Sequence, residues 1–357
     1  MVLAILAILL TMILVVGIHE AGHALAARMF GVTIKKMSIG FGKPLIQWQA
    51  RSGINWVWAI WPLGGYVELL NSRISPVETK DHPQCVDKKP VWMRILILLS
   101  GAFANFITAW FALILLFSIG ITYKLPLIQN IQPDSLAARA GIMNGDQFIK
   151  VGKTATPSWH EVGMELISLW GKKAVPITLM QAGKTEKKIV MVDLSQIKFT
   201  GNDRSLLTSL GIRPDLSAPS TLMKSSSLLD AIQQANSRFV HILYFFTIVL
   251  KQWVTGVIPF SMLLGPLGFF AASVTSLTQG ILVFIYFIAS LSLAVGFVNL
   301  FPIPGLDGGS IVYCLIEKIR GKPISVALEI LLYQLMMIVA FLLLIQLVIN
   351  DLSRYIH

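Results

Sequence analysis

Charge is what this sequence has least of. Only 13% of its 357 residues are charged, and 18 acidic residues face 29 basic ones. With 55% hydrophobic residues and a mean hydropathy of +0.72, that scarcity excludes a soluble globular protein, and the chain reads as an integral membrane protein. Cysteine is nearly absent. Cys85 and Cys314 stand far apart, which argues against a disulfide framework or a thiolate metal site, and both read as free thiols. The formal net charge of +11 is scattered through loops beside apolar runs rather than gathered in a patch. The positive-inside rule and anionic lipid account for it, so no nucleic-acid partner is expected. The first apolar run also lacks a basic leader and a small-residue cleavage site, so it reads as retained rather than removed.

What is present begins inside that first run, from Val2 to Ala27, with Gly17-Ile18-His19-Glu20-Ala21-Gly22-His23. On a helix His19 and His23 share a face one turn apart, so two imidazoles can hold one Zn²⁺ while Glu20 polarises a bound water. A chance H-x-x-x-H is the plain alternative. Three ionisable groups in a stretch long enough to span a bilayer each cost a few kcal/mol unless they share a partner, and a metal supplies one. Catalytic zinc takes three protein ligands, so a third is required from elsewhere. Asp307, in Phe301-Pro302-Ile303-Pro304-Gly305-Leu306-Asp307-Gly308-Gly309 at the end of a later span, is the residue we assign, a solvated Asp-Gly turn being the other reading.

Between these ends the chain divides by composition. Residues 31–90 carry a strong excess of Lys and Arg and face the cytoplasm, which puts the amino terminus outside. Within them Met37–Gly42 and Ile54–Val67 are rich in aromatic and branched residues punctuated by glycine, predicting short strands that dip into the membrane. A second span, about Trp92 to Ile121, carries the lone amide Asn105, either interhelical glue or a group near the site. Residues 123–214 read as a compact α+β module, with helices at about 132–141 and 158–169 and strands at 147–151, 175–180 and 188–192. Ser226–Trp253 is amphipathic and interfacial, and Trp253–Ala272, broken by Gly and Pro, is interfacial or re-entrant. Spans at about 281–300 and 324–349 follow, giving roughly four in all with both termini outside. The expected divisions are 1–122 and 279–357 as membrane core, 123–214 as the inserted module, and 215–278 as interfacial helices.

The sequence resembles the site-2 protease family of intramembrane zinc metalloproteases, in its bacterial branch. The resemblance rests on His19-Glu20-Ala21-Gly22-His23, Ser38-Ile39-Gly40-Phe41-Gly42, Pro62-Leu63-Gly64-Gly65-Tyr66-Val67, Asn105, Gly265-Pro266-Leu267-Gly268 and Asn299 through Gly309, in matching order. It implies one zinc per chain on His19, His23 and Asp307, with Glu20 as general base. It also implies a strand at Gly40, Phe41 and Gly42 that pairs with an unwound substrate, and Asn105 and Asn299 as substrate-facing polar residues. The fold implied is a polytopic α-helical membrane protein with a membrane-associated β-hairpin region and one periplasmic PDZ-like domain at 123–214. The setting implied is the bacterial inner membrane, with the active site toward the cytoplasm. Substrates implied are single-span membrane proteins, an anti-sigma factor or remnant signal peptides, cut after an upstream site-1-type protease. This chain departs from the pattern in having room for one PDZ-like domain where the best-known Gram-negative members carry two, and in Ala102 and Ala294. The rivals are a non-catalytic receptor or scaffold that binds extracytoplasmic peptides, and a metal transporter; intact Glu20 disfavours the first and the single cluster the second.

Overall fold

The computed structural model describes residues 2–181, 186–197 and 206–356. In chain order, α1 (Val2–Thr11), a π-helical segment (Met12–Gly17) and α2 (Ile18–Met29) lead into strands β1 (Ile34–Gln49) and β2 (Asn55–Leu69) and helix α3 (Val91–Ile119). Next come β3 (Ile121–Lys124), β4 (Ile128–Ile131), α4 (Leu136–Arg139), β5 (Asp146–Val151), β6 (Thr154–Ala155), α5 (Trp159–Ser168), β7 (Val175–Gln181) and β8 (Lys187–Val192). Then α6 (Leu206–Leu210), β9 (Ile212–Pro214), β10 (Ser220–Met223) and α7 (Leu228–Val254) precede α8 (Pro266–Gln279), α9 (Ile281–Asn299), α10 (Asp307–Arg320) and α11 (Val326–Ile356). The chain divides into two compact units, residues 1–116 with 266–346 and residues 117–265 with 347–357.

The first unit is mainly helical because its long apolar segments can satisfy every backbone hydrogen bond only within themselves when lipid surrounds them. Among the described residues, five helical segments are long and apolar enough to cross a membrane, one more than the composition suggests, the addition being Phe260–Gln279. Small residues let these helices touch. A Cβ on Gly22 would stand 2.5 Å from the Ser100 carbonyl oxygen and 2.8 Å from Ala104, so α2 and α3 meet backbone to backbone. Ala7 and Val15 pack with Phe284 and Ile288 of α9, and Thr11 and Ser273 share a buried hydrogen bond of 2.8 Å.

Strands β1 and β2 are longer than expected, and both bend. Gly40 and Gly64 take positive φ, +90° and +147°, at the bends. The bending lets Met37–Ile39 pair on one side with Gly65–Val67 and on the other with Trp56–Trp58, while Ile46–Gln49 pair with Asn55–Trp58. Four strand segments result, and Gly65–Leu69 forms an outer edge. Leu45, Ile46 and Trp48, near the turn between the strands, are at least half exposed. That suits a segment meeting lipid better than one meeting water.

The second unit holds an antiparallel sheet in the order β6-β5-β7-β8, with β4–β9 and β3–β10 as two-stranded pairs. Alternation decides its facing. Val175, Ile177 and Leu179 of β7 point inward to Phe148, Val162 and Leu166, each such burial contributing roughly 1.5–3 kcal/mol over exposure. Ser135 and Ser158 cap α4 and α5 through their side-chain oxygens, matching the helices expected in this interval. Residues 182–185 and 198–205, which the 123–214 interval includes, lie outside the described residues. The amphipathic stretch is one continuous helix, α7, capped by Ser227, and its Arg238 and His241 meet Glu161 and Glu165 of α5 at 2.5 and 3.2 Å.

Candidate metal centre and catalytic cavity

Helix α2 keeps His19 and His23 one turn apart, their rings edge to face with centroids 4.8 Å apart, and buries both with Glu20 to under a tenth exposure. The third group arrives from the far end of the chain. After α9 the two prolines end the helix, and α10 begins at Asp307. Glycine is required just after it: a Cβ on Gly308 would collide with the carbonyls of Leu300 and Phe301, and one on Gly309 with that of Ile303. This close packing folds the turn back and aims the carboxylate at the histidines.

Asp307 Oδ2 lies 3.2 Å from Nε2 of His19 and 3.2 Å from Nε2 of His23, and the two Nε2 atoms are 3.2 Å apart. A tetrahedral zinc with bonds of 2.0–2.1 Å places adjacent donors about 3.3 Å apart. The residues therefore fit the ion. Their hydrogen-bond partners agree, because His23 Nδ1 is 2.7 Å from the Ile97 carbonyl oxygen, which can only accept; the proton sits on Nδ1 and Nε2 presents a lone pair. A lone pair facing a carboxylate oxygen that itself accepts no hydrogen bond repels it unless a cation lies between.

Asn105 of α3 approaches His19 Nδ1 through its amide nitrogen at 3.4 Å, and its buried Oδ1 has no partner. Turning the amide, whose O and N are assigned rather than seen, gives Oδ1 the Nδ1–H of His19 to accept. Gly101, on the same face of α3, lies where a Cβ would run into both imidazoles.

The three donors and Glu20 open onto a cavity of about 260 Å³ that Tyr66, Val67, Leu98 and Asn299 also line. Asn299 donates to the Val295 carbonyl of its own helix at 3.0 Å. Gly40, Phe41 and Gly42 are not among the lining residues; they form the bend of β1, where Phe41 stacks 6.2 Å from Tyr66. The outer edge Gly65–Val67 borders the cavity instead. The Val67 backbone reaches Glu20, and a Cβ on Gly65 would stand 3.2 Å from Glu20 Cγ. The segment reads as a strand in the sequence, but nothing there marks it as the free edge. The Ile97 carbonyl had no signal at all, since a backbone acceptor leaves no trace in residue type.

The sequence matches peptidase family M50 over residues 7–343. It is 30% identical to Metalloprotease MmpA of Caulobacter vibrioides, over 98% of this chain and 95% of that protein. It is 27% identical to Regulator of sigma-E protease RseP of Salmonella typhimurium and of Escherichia coli, over 95% of this chain and 96% of each. The alignment with the Salmonella protein runs over 431 positions, so that relative carries segments this 357-residue chain lacks. A match over most of its length, added to a donor set fitted to zinc, has one meaning: the chain belongs to peptidase family M50 and is a zinc metalloprotease of the membrane.

Proposed function

We propose that the protein is an intramembrane endopeptidase of the bacterial inner membrane that cuts the transmembrane segment of single-span membrane proteins. One observation carries this reading: His19, His23 and Asp307 converge, with Glu20, on a cavity bordered by an outer strand edge. Zinc held by the three ligands, one per chain, supplies Lewis-acid polarisation of the scissile carbonyl and acidifies water. Glu20 accepts the proton of the attacking water and delivers it to the leaving nitrogen. A transmembrane helix hides its carbonyls, so it must unwind before it is cut. Pairing of the unwound segment with Gly65–Val67 would satisfy its backbone groups at membrane depth and lay a peptide bond beside Glu20. The scaffold alternative leaves a complete donor set and its base without a use.

The same reading assigns four full spans. Phe260–Gln279 reaches 20 residues only with its 3-10 turn at 260–262 and the non-helical link at 263–265; helix α8 itself has 14, roughly 21 Å against a ~30 Å hydrocarbon core, and in this reading it ends within the bilayer. Both termini and the PDZ-like module at 123–214 then lie on the periplasmic side, with the zinc site toward the cytoplasm. Support for the module is its sheet-and-helix core; α7 belongs to the same compact unit. An anti-sigma factor or a remnant signal peptide, trimmed first by a site-1-type protease, is the substrate class in view. The test is cleavage of a reporter transmembrane segment in liposomes, with zinc content measured beside it. Wild type should cut and hold near one zinc, and Asp307→Ala should lose both; an Asp307→Ala protein that keeps its zinc refutes the ligand set.

A further inference from the structure

Helix α3 touches the metal centre along one stripe. Positions 94, 97, 101 and 105 are three, four and four residues apart and so share a helix face. Three of them serve the histidines: the Ile97 carbonyl holds His23, Gly101 makes room for both rings, and Asn105 stands against His19. The fourth, Arg94, reaches another element. Its Nη1 is 2.8 Å from Glu317 Oε2, with the two side chains only 12% and 20% exposed.

Glu317 lies on α10, the helix whose first residue is Asp307 and whose axis carries the two roughly 15 Å apart. Thus α3, which orients the two histidines, is tied by an ion pair to the helix that carries the carboxylate. A metal centre tolerates distance errors of only about 0.2 Å, and a slip of α10 along α3 by one ångström would exceed that several-fold. The turn before Asp307 sets the direction of the carboxylate. The Arg94–Glu317 pair, about 15 Å further along α10, adds a second point of attachment.

We propose that Arg94 and Glu317 are positioning residues for the metal centre, an ion pair that sets the axial register of α10 on α3 and so keeps Asp307 within coordinating distance of His19 and His23. The planar guanidinium suits this task because it constrains direction as well as distance. A second pair supplies the contrast. Arg73 and Glu329, 2.9 Å apart and 21% and 28% exposed, tie the 71–75 loop to α11; they lie near Tyr313 and Cys314 of α10, but the ion pair itself joins neither α3 nor α10.

This inference rests on the ligand set proposed above, and its test separates the two. Zinc retention is measured by chelator competition on the full-length protein in detergent, without reference to cleavage. Arg94→Gln and Glu317→Gln should each weaken retention at least about tenfold, the scale of losses at groups that orient metal ligands. The exchanged pair Arg94→Glu with Glu317→Arg should return to within about threefold of wild type, and Arg73→Gln should stay there throughout. If Arg94→Gln does not fold, Arg94→Lys keeps the charge without the fork and should still weaken retention about threefold or more. Wild-type retention in the single variants, no recovery in the exchanged pair, or an equal loss in Arg73→Gln each overturns the clamp. Asp307→Ala run alongside reports on the ligand set independently: if it loses zinc while the Arg94 and Glu317 variants keep theirs, the ligands stand and the clamp falls.

Discussion

The imidazole of His23 donates through Nδ1 to the Ile97 carbonyl at 2.7 Å. That one bond decides which ring nitrogen faces Asp307, and it requires α2 and α3 to approach as closely as Gly22 and Gly101 allow. The site is therefore held by a helix–helix contact as much as by its donor residues.

Gly101→Ala follows directly. The added methyl would displace both rings, so the variant should lose zinc at least tenfold more readily than wild type while remaining helical. Metal analysis after dialysis against a weak chelator, with circular dichroism on the same sample, gives the answer; undiminished zinc would mean the rings are not pressed against α3.

Asn105 is expected to act as acceptor for His19. Replacing it by Leu removes the acceptor and should lower zinc affinity by about 10–100-fold, whereas Asp, which still accepts, should remain within a few-fold. Parallel zinc titrations of the two variants distinguish this from a role in helix packing, for which Leu would be the milder change.

Glu20→Gln keeps the size of the side chain and removes its basicity. Cleavage should fall by about 10²–10⁴-fold with zinc content unchanged, as expected for loss of a general base. Single-turnover cleavage in liposomes is the measurement, and residual activity within tenfold of wild type would take Glu20 out of proton transfer.

The second unit should weaken in acid. Burial alone would raise the Glu161 carboxyl, but Arg238, then Ser158, outweigh it and hold the group below its ordinary range. The folded value is depressed, so Glu161 contributes its stability in full above its unfolded value and loses it as pH falls toward the folded one. Hydrogen exchange of α5 and α7 should therefore rise below about pH 4.5. Glu161→Gln should abolish that rise; an unchanged acid limb in the variant would assign it to another carboxylate.

The comparison of sequence with structure divides along the range of the interactions. Apolar spans, the placement of His19 and His23 on one helical face with Glu20 beside them, the helices near 136–139 and 159–168, and the strands at 147–151, 175–180 and 188–192 are readable because each depends on neighbours a few positions away; the short strands β4 and β6 are not. The prolines and glycines around Asp307 likewise announce a sharp turn. Helix α8 and the bends of β1 and β2 are less legible, since Gly and Pro mark where regular structure breaks without saying what the chain does next.

By itself, then, the sequence determined that this is a membrane protein with a metal-binding helix, because hydropathy and helical period are local properties of the residues. Tertiary structure alone decided that Asp307 stands 3.2 Å from both histidines, that the Ile97 carbonyl chooses the His23 tautomer, and that Gly65–Val67, not Gly40–Gly42, borders the cavity. The physical reason is common to all three. Each is a long-range contact made by backbone groups or by a register between helices, and neither leaves a signature in residue type.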